Sequence, residues 1–357
     1  MGDARKIRDM IYDKKATSDD KGRLYYFDNA KFILIFLVVL AHALGSLNPG
    51  SPFCLMLWYA INYFHMPAMI FISGFFAKRY ISKPRRDKVQ RVATYAILYL
   101  AAQISLAAFE RFVLKVNAAP SLLEPRGAMW FLQCLAVWYL MLPVLDCFQP
   151  KVVMAVTVVA GLLIGYEPGA AHFMSISRAF VHLPFFMAGY YIKQAHIEKL
   201  QARKFKIIAP AVFAAVAAVS LAWPKTAINA VITCKTPYAK IPALAGLPWT
   251  LQWSARLWFY VVAAALIFGF LALVPRGKAV FTGLGKETLS VYILHAFLLQ
   301  AYLRFKWHLP FTSPGGIAAM CLISLAVTVV FSMKPFTLPF HWLQKIKVRT
   351  KEYGTYA

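Results

Sequence analysis

Seven stretches of this chain, 92–109, 128–145, 152–166, 207–223, 257–274, 288–303 and 316–333, carry no charged side chain. A helix needs about 20 mostly apolar residues to cross a bilayer, so uncharged runs of this length leave few other folds open. Stretches 32–47, 53–77 and 179–192 fit the same reading, with Arg178 and Lys193 able to snorkel from the ends of the last. Ten spans at about 20 residues each consume most of the 357 residues and leave no room for a separate soluble domain. Hydrophobic residues make up 60% of the chain and charged residues 15%, with mean hydropathy +0.58. Soluble domains carry about 25% charge. The net charge of +25 would suggest nucleic acid in a soluble chain, but here its placement points to a membrane.

The expected fold is all-α, a polytopic integral membrane bundle of about ten transmembrane helices with both termini cytoplasmic. Orientation follows from the basic residues: 29 Lys and Arg fall on the side of residue 1 and 10 on the other, and the richer side is cytoplasmic. Residues 1–30 read as a basic cytoplasmic segment, 31–333 as the transmembrane domain and 334–357 as a basic cytoplasmic tail. The first 30 residues are too polar for a cleavable signal peptide. The five cysteines form no C-x-x-C pair, so neither a disulfide nor a metal site is expected. The Pro- and Trp-rich connection 224–252 is placed to fold over the outer mouth of the bundle.

Ionisable groups at membrane depth are costly, and each is a candidate for function. Histidines 42, 65, 182 and 295 fall inside spans, whereas no Asp or Glu lies in the middle of one. That leaves histidine for acid–base work. Lys31 and His42 are 11 residues apart, so they differ by about 20° around the helix and roughly 16 Å along it. One face thus carries a cation near the cytoplasm and an imidazole near mid-membrane. Asp28 is a fitting N-cap for this helix. His65 reaches a similar depth on the second span, next to Pro67, with Asn62 and Tyr63 just before it. The basic run Lys78, Arg79, Lys83, Arg85 and Arg86 serves either as a topology signal or as a phosphate site. Trp130 opens the fourth span as an interfacial aromatic, and His295, about 10 Å from the cytoplasmic surface, reads as a packing residue.

Five segments, DNAKFILIFLVVLAH, FHMPAMIFISGFF, WFLQCLAVWYL, LPFFMAGYYI and LGKETLSVYILHAFLL, occur in this order from residue 28 to about 299. In them the chain resembles membrane-bound acyltransferase family 3, in particular its fucose 4-O-acetylase-like and polysaccharide O-acyltransferase branch. The resemblance implies transfer of an acyl group, commonly acetyl, from cytoplasmic acyl-CoA to a hydroxyl of a carbohydrate or glycan on the far side. Members show an Arg, ten residues and a His in the first span, which places Lys31 and His42 in those roles. Lys keeps the charge of that Arg without its planar fork. The implied site then has His42, Lys31 and His65 as catalytic residues and Lys31, Arg79, Arg85 and Arg86 against acyl-CoA, with Tyr63, Asn62 and Trp130 toward the acceptor. His42 either removes the hydroxyl proton or takes the acyl group itself, and His65 or Tyr63 orients the acceptor or stabilises the oxyanion. Acetyl-CoA or another acyl-CoA is a donor substrate; no bound cofactor and no nucleic-acid partner is expected.

The competing reading is a polysaccharide or small-molecule transporter. The missing mid-membrane carboxylates and the lack of an inverted repeat argue against it. The expected location is a multi-pass position in a bacterial inner or plasma membrane, or an organelle membrane in a eukaryote. The acceptor sugar is not legible in the spans.

Overall fold

A computed structural model of the chain describes residues 24–46, 52–116, 121–171, 173–307, 311 and 313–348. Most of the 1–30 segment and residues 349–357 of the tail lie outside the described residues. Each of the ten apolar stretches carries a helix: α1 (Tyr25–Ser46), α2 (Pro52–Ala77), α3 (Arg85–Ala108), α4 (Trp130–Leu145), α5 (Pro150–Leu163), α6 (Ile176–Tyr191), α8 (Arg203–Ser220), α10 (Ser254–Leu273), α11 (Thr288–Arg304) and α12 (Pro314–Phe331). Short helices α7 (Gln194–Leu200) and α9 (Lys225–Ile232) lie between them, and α13 (Lys334–Lys345) follows.

Among the described residues six helical runs are long and apolar enough to cross a membrane: Tyr25–Gly45, Pro52–Ala77, Arg85–Val113, Gly127–Leu145, Trp249–Leu273 and Pro314–Phe331. The chain is an all-helical, polytopic membrane protein. The other four expected spans are shorter or more charged. α5 has 14 residues, α6 16 and α11 17, while α8 has 18 but begins with Arg203, Lys204 and Lys206. α6 is cut short because residues 173–175 form a separate 3-10 turn with Met174 and Ser175 at positive φ.

α2 and α6 cross at the centre. A Cβ on Gly74 would stand 1.9 Å from the Phe186 carbonyl oxygen, and one on Gly189 would stand 1.9 Å from that of Phe71. Two glycines therefore set the contact, since without side chains the backbones approach directly. Lys78, just beyond α2, donates to the Ile192 carbonyl at the end of α6 and lies 4.3 Å from the Phe75 ring. Burial pushes its ammonium below the usual lysine range. Further bonds tie helices together in the apolar interior: Trp138 Nε1 to the Ala179 carbonyl at 3.0 Å and Tyr260 Oη to that of Val181 at 2.9 Å.

α1 is anchored at its start. Asn29 donates to the carbonyls of Pro275 (3.0 Å) and Gly277 (2.9 Å) and accepts from Thr282 at 2.6 Å. Gly285 lies directly against the Asp28 carbonyl. The helix begins at Tyr25, so Asp28 stands inside the first turn rather than at the N-cap, and it pairs with Lys31 at 2.9 Å. Residues 334–345 of the basic tail form a packed helix. α13 packs on α3 and α11, His341 contacts Glu287 at 2.7 Å, and Gln90 on α3 holds Ile346 and Val348. The 224–252 connection packs on the ends of α5 and α6: Tyr238 Oη donates to the Leu162 carbonyl and Ser177 Oγ to that of Cys234.

Candidate functional site

α1 and α11 run side by side and border two cavities in succession. The inner one, about 580 Å³, is lined by Lys31 and Ile35 of α1 and by Thr288, Leu289 and Tyr292 of α11. The outer one, about 190 Å³, is lined by Val39, His42 and Ala43 of α1 and by His295, Leu298, Leu299 and Tyr302 of α11, with α12 closing its side. From Ile35 to Val39 is about 6 Å and from Tyr292 to His295 about 4.5 Å, so on each helix the two linings are about one turn apart. The partition between the cavities is therefore a single layer of side chains.

His42 and His295 stand on the outer-cavity side of that partition, with ring centroids 5.3 Å apart and planes at 29°. His295 is buried, and its Nδ1 lies 3.0 Å from the Val291 carbonyl. A carbonyl only accepts, so Nδ1 carries the hydrogen and Nε2 of the neutral ring presents a lone pair. His65 and His182 are held in the same way by the carbonyls of Ile61 (2.9 Å) and Arg178 (3.0 Å). His42 differs. It is half-buried, faces the outer cavity, and makes no hydrogen bond among the described residues. Its unengaged nitrogens are the ones open to a substrate.

The remaining histidines flank His42 on the α2–α6 side. His65 is within electrostatic range of His42, and His182 of His65. The His182 ring lies 5.1 Å from Trp130, over which the Arg178 guanidinium sits at 4.9 Å. Arg178 Nε donates to the Thr233 carbonyl at 2.9 Å, and its charge acts on both His42 and His182. The histidines do not form a metal site: among the described residues no three His, Cys, Asp or Glu side chains are placed to hold an ion.

The sequence-predicted residues are only partly brought together. Lys31 lines the inner cavity, half-buried, and His42 stands on the outer-cavity side of the partition. Trp130 joins the cluster through His182. Asn62 and Tyr63 do not reach it. Asn62 donates to the Trp58 carbonyl of its own helix at 2.8 Å, and the Tyr63 hydroxyl points toward Ser220 and Trp258. For Tyr63 the cause is helical geometry, because residue 63 lies about 200° around the axis from residue 65. Arg79, Arg85 and Arg86 are exposed and stand apart from the cavity walls, where Lys83 and Arg91 take the basic positions with Asp87 beside them. α3 presents Asp87, Gln90, Arg91, Thr94, Tyr95 and Leu98 to the inner cavity. This is an i, i+3, i+4, i+7 stripe that runs from the basic segment before the 92–109 stretch into it, with the polar Thr94 inside that stretch its visible signal.

Histidines beside cavities in a helical membrane bundle mark this region as the candidate functional site. The family model described as an acyltransferase domain, Acyl_transf_3, matches residues 24–333. The chain belongs to that family and is a membrane acyltransferase. No curated protein and no solved structure matches it.

Proposed function

We propose that this protein moves an acyl group, in the simplest case acetyl, from cytoplasmic acyl-CoA to a hydroxyl of a carbohydrate acceptor on the far side of the membrane. The observation that carries this reading is the position of His42, unbonded, on the outer-cavity side of the thin partition from the cavity that Lys31 lines. The inner cavity opens on the face bearing Lys83 and Arg91, which the distribution of basic residues makes cytoplasmic. Phosphates of CoA sit at that mouth against Lys83 and Arg91, while Arg79, Arg85 and Arg86 outside it raise the local attraction for anions. The pantetheine arm extends past Lys31, whose distance to His42 of roughly 16 Å along the helix matches its reach.

At the partition a ring nitrogen of His42 attacks the thioester carbonyl. The nitrogen–carbon bond forms, the carbon–sulfur bond breaks, and CoA leaves inward as the thiolate. The acceptor hydroxyl then attacks the acyl-imidazole from the other side and gives its proton to a neighbouring base, and His42 is released. A general base requires a partner that fixes its tautomer. His295 has one in Val291, and His42 has none, which favours His42 as the nucleophile.

Acetyl-CoA labelled in the acetyl group, given to the purified protein without acceptor, is expected to release about one CoA per chain and leave the label on the protein. Steady CoA retention and an unlabelled chain would refute the reading. The donor site has its own test. Lys83→Gln with Arg91→Gln is expected to raise the acetyl-CoA KM roughly 10-fold, since exposed charge contacts are worth up to about 1 kcal/mol each. The triple Gln variant of Arg79, Arg85 and Arg86 is expected to raise it less. The reverse ranking in steady-state kinetics would move the phosphate site to the α2–α3 turn.

A further inference from the structure

The outer cavity has walls that do not suit a fully hydroxylated sugar. Val39, Leu298, Leu299, Met320, Ile323 and Val327 line it, with Tyr302 and Trp307 also in its wall. Against them stand two polar atoms with no hydrogen-bond partner, His295 Nε2 and Ser324 Oγ, on side chains whose residues are each 2% exposed. Buried polar atoms are nearly always bonded, so an unpaired pair in one chamber points to a ligand that completes them. The tautomer held by Val291 leaves His295 Nε2 able only to accept. What it lacks is a hydrogen, and an alcohol O–H brings one. The Ser324 hydroxyl can donate or accept and so can meet one further oxygen.

We propose that this chamber is the acceptor subsite, that it selects a hydroxyl carried on an apolar, hydroxyl-poor ring, and that His295 Nε2 is the base that takes the hydroxyl proton. This rests on the reading of His42 as the acyl-carrying residue. A ring with four or five free hydroxyls finds few polar side chains here, His42, His295, Ser324 and Tyr302, and buries the rest against leucine and isoleucine, which disfavours it. Size agrees with the choice. An apolar protein cavity of about 150 Å³ takes a benzene-sized molecule, so a chamber of about 190 Å³ holds one six-membered ring. The rest of a larger acceptor remains outside. The chemistry balances: the alcohol oxygen bonds the acyl carbon, the carbon–nitrogen bond to His42 breaks, and the proton passes to His295 and then to solvent as the ester leaves.

Cyclohexanol and myo-inositol, one ring size with one hydroxyl or six, separate the possibilities. With the purified full chain and acetyl-CoA, cyclohexanol is expected to be esterified at least 10-fold more efficiently than inositol. His295→Gln is expected to slow acceptor-dependent CoA release about 10²-fold or more and to let acetylated protein accumulate. Ser324→Ala is expected to narrow the preference between the two alcohols. If the protein becomes acetylated but uses inositol as well as cyclohexanol, or if His295→Gln turns over within a few-fold of the parent, the acceptor assignment is wrong while the acyl-carrier reading stands. If no acetylated protein forms and no CoA is released with either alcohol, both fall together.

Discussion

His42→Ala is expected to yield an inserted, folded protein that binds acyl-CoA with near-parent affinity and turns over at least about 10²-fold more slowly. That figure is the lower range for loss of an acid–base group, and loss of a covalent carrier removes more. Binding survives because Lys31, Lys83 and Arg91 belong to the inner cavity, one layer below the partition. Folding survives because His42 makes no hydrogen bond among the described residues and stands beside a cavity. The check is acyl-CoA binding and turnover on the same purified variant. His65→Ala, which removes a buried neighbour on the other flank, is expected to cost less. Turnover of His42→Ala within a few-fold of the parent would remove this histidine from the chemistry.

The second large effect concerns stability. Gly74→Ala and Gly189→Ala each place a methyl group inside the contact distance of a backbone oxygen on the facing helix. Backbone cannot swing aside as a side chain can, so α2 and α6 must separate. Overpacking of this kind costs about 1–3 kcal/mol per site, occasionally more, and here it displaces His65 and His182, one on each helix. The double variant is expected to lose thermal stability in detergent and to lose activity with it. Gly315→Ala is the control, since nothing lies within 4 Å of a Cβ there. Equal melting of the double variant and the control would contradict the close crossing.

Much of the architecture was legible because long uncharged runs have one cheap solution in a bilayer. The ten runs became helices, and the shared face of Lys31 and His42 appears as a lining of successive cavities on α1. Depth was harder to read. His295 lies seven residues into α11 and His42 seventeen into α1, so counting from the surface placed them at different levels. The count failed because the turn before α11 packs beside Asp28, a contact between segments some 250 residues apart that no local pattern contains. The acceptor candidates Asn62 and Tyr63 failed for a different reason. Nearness to His65 in sequence stood in for nearness in space: helical rotation sends Tyr63 toward α8 and α10, and Asn62 turns back to its own helix at the Trp58 carbonyl. The basic loop misled through charge density: the arginines closest together are solvated, and the ones that reach the cavity are set by the stripe along α3.

The central claim is that acyl groups enter from the face bearing Lys83 and Arg91 and react at His42. Acetyl-CoA does not cross a bilayer unaided, because its charged phosphates resist the hydrocarbon core, so sidedness is a direct measurement. Proteoliposomes sorted by the accessibility of a single cysteine at Lys88→Cys, in a cysteine-free background, give the orientation. CoA release is expected only where acetyl-CoA meets the face that carries this cysteine, and it is expected to vanish in His42→Ala. Release from the opposite face, or equal release with His42 absent, would contradict the account.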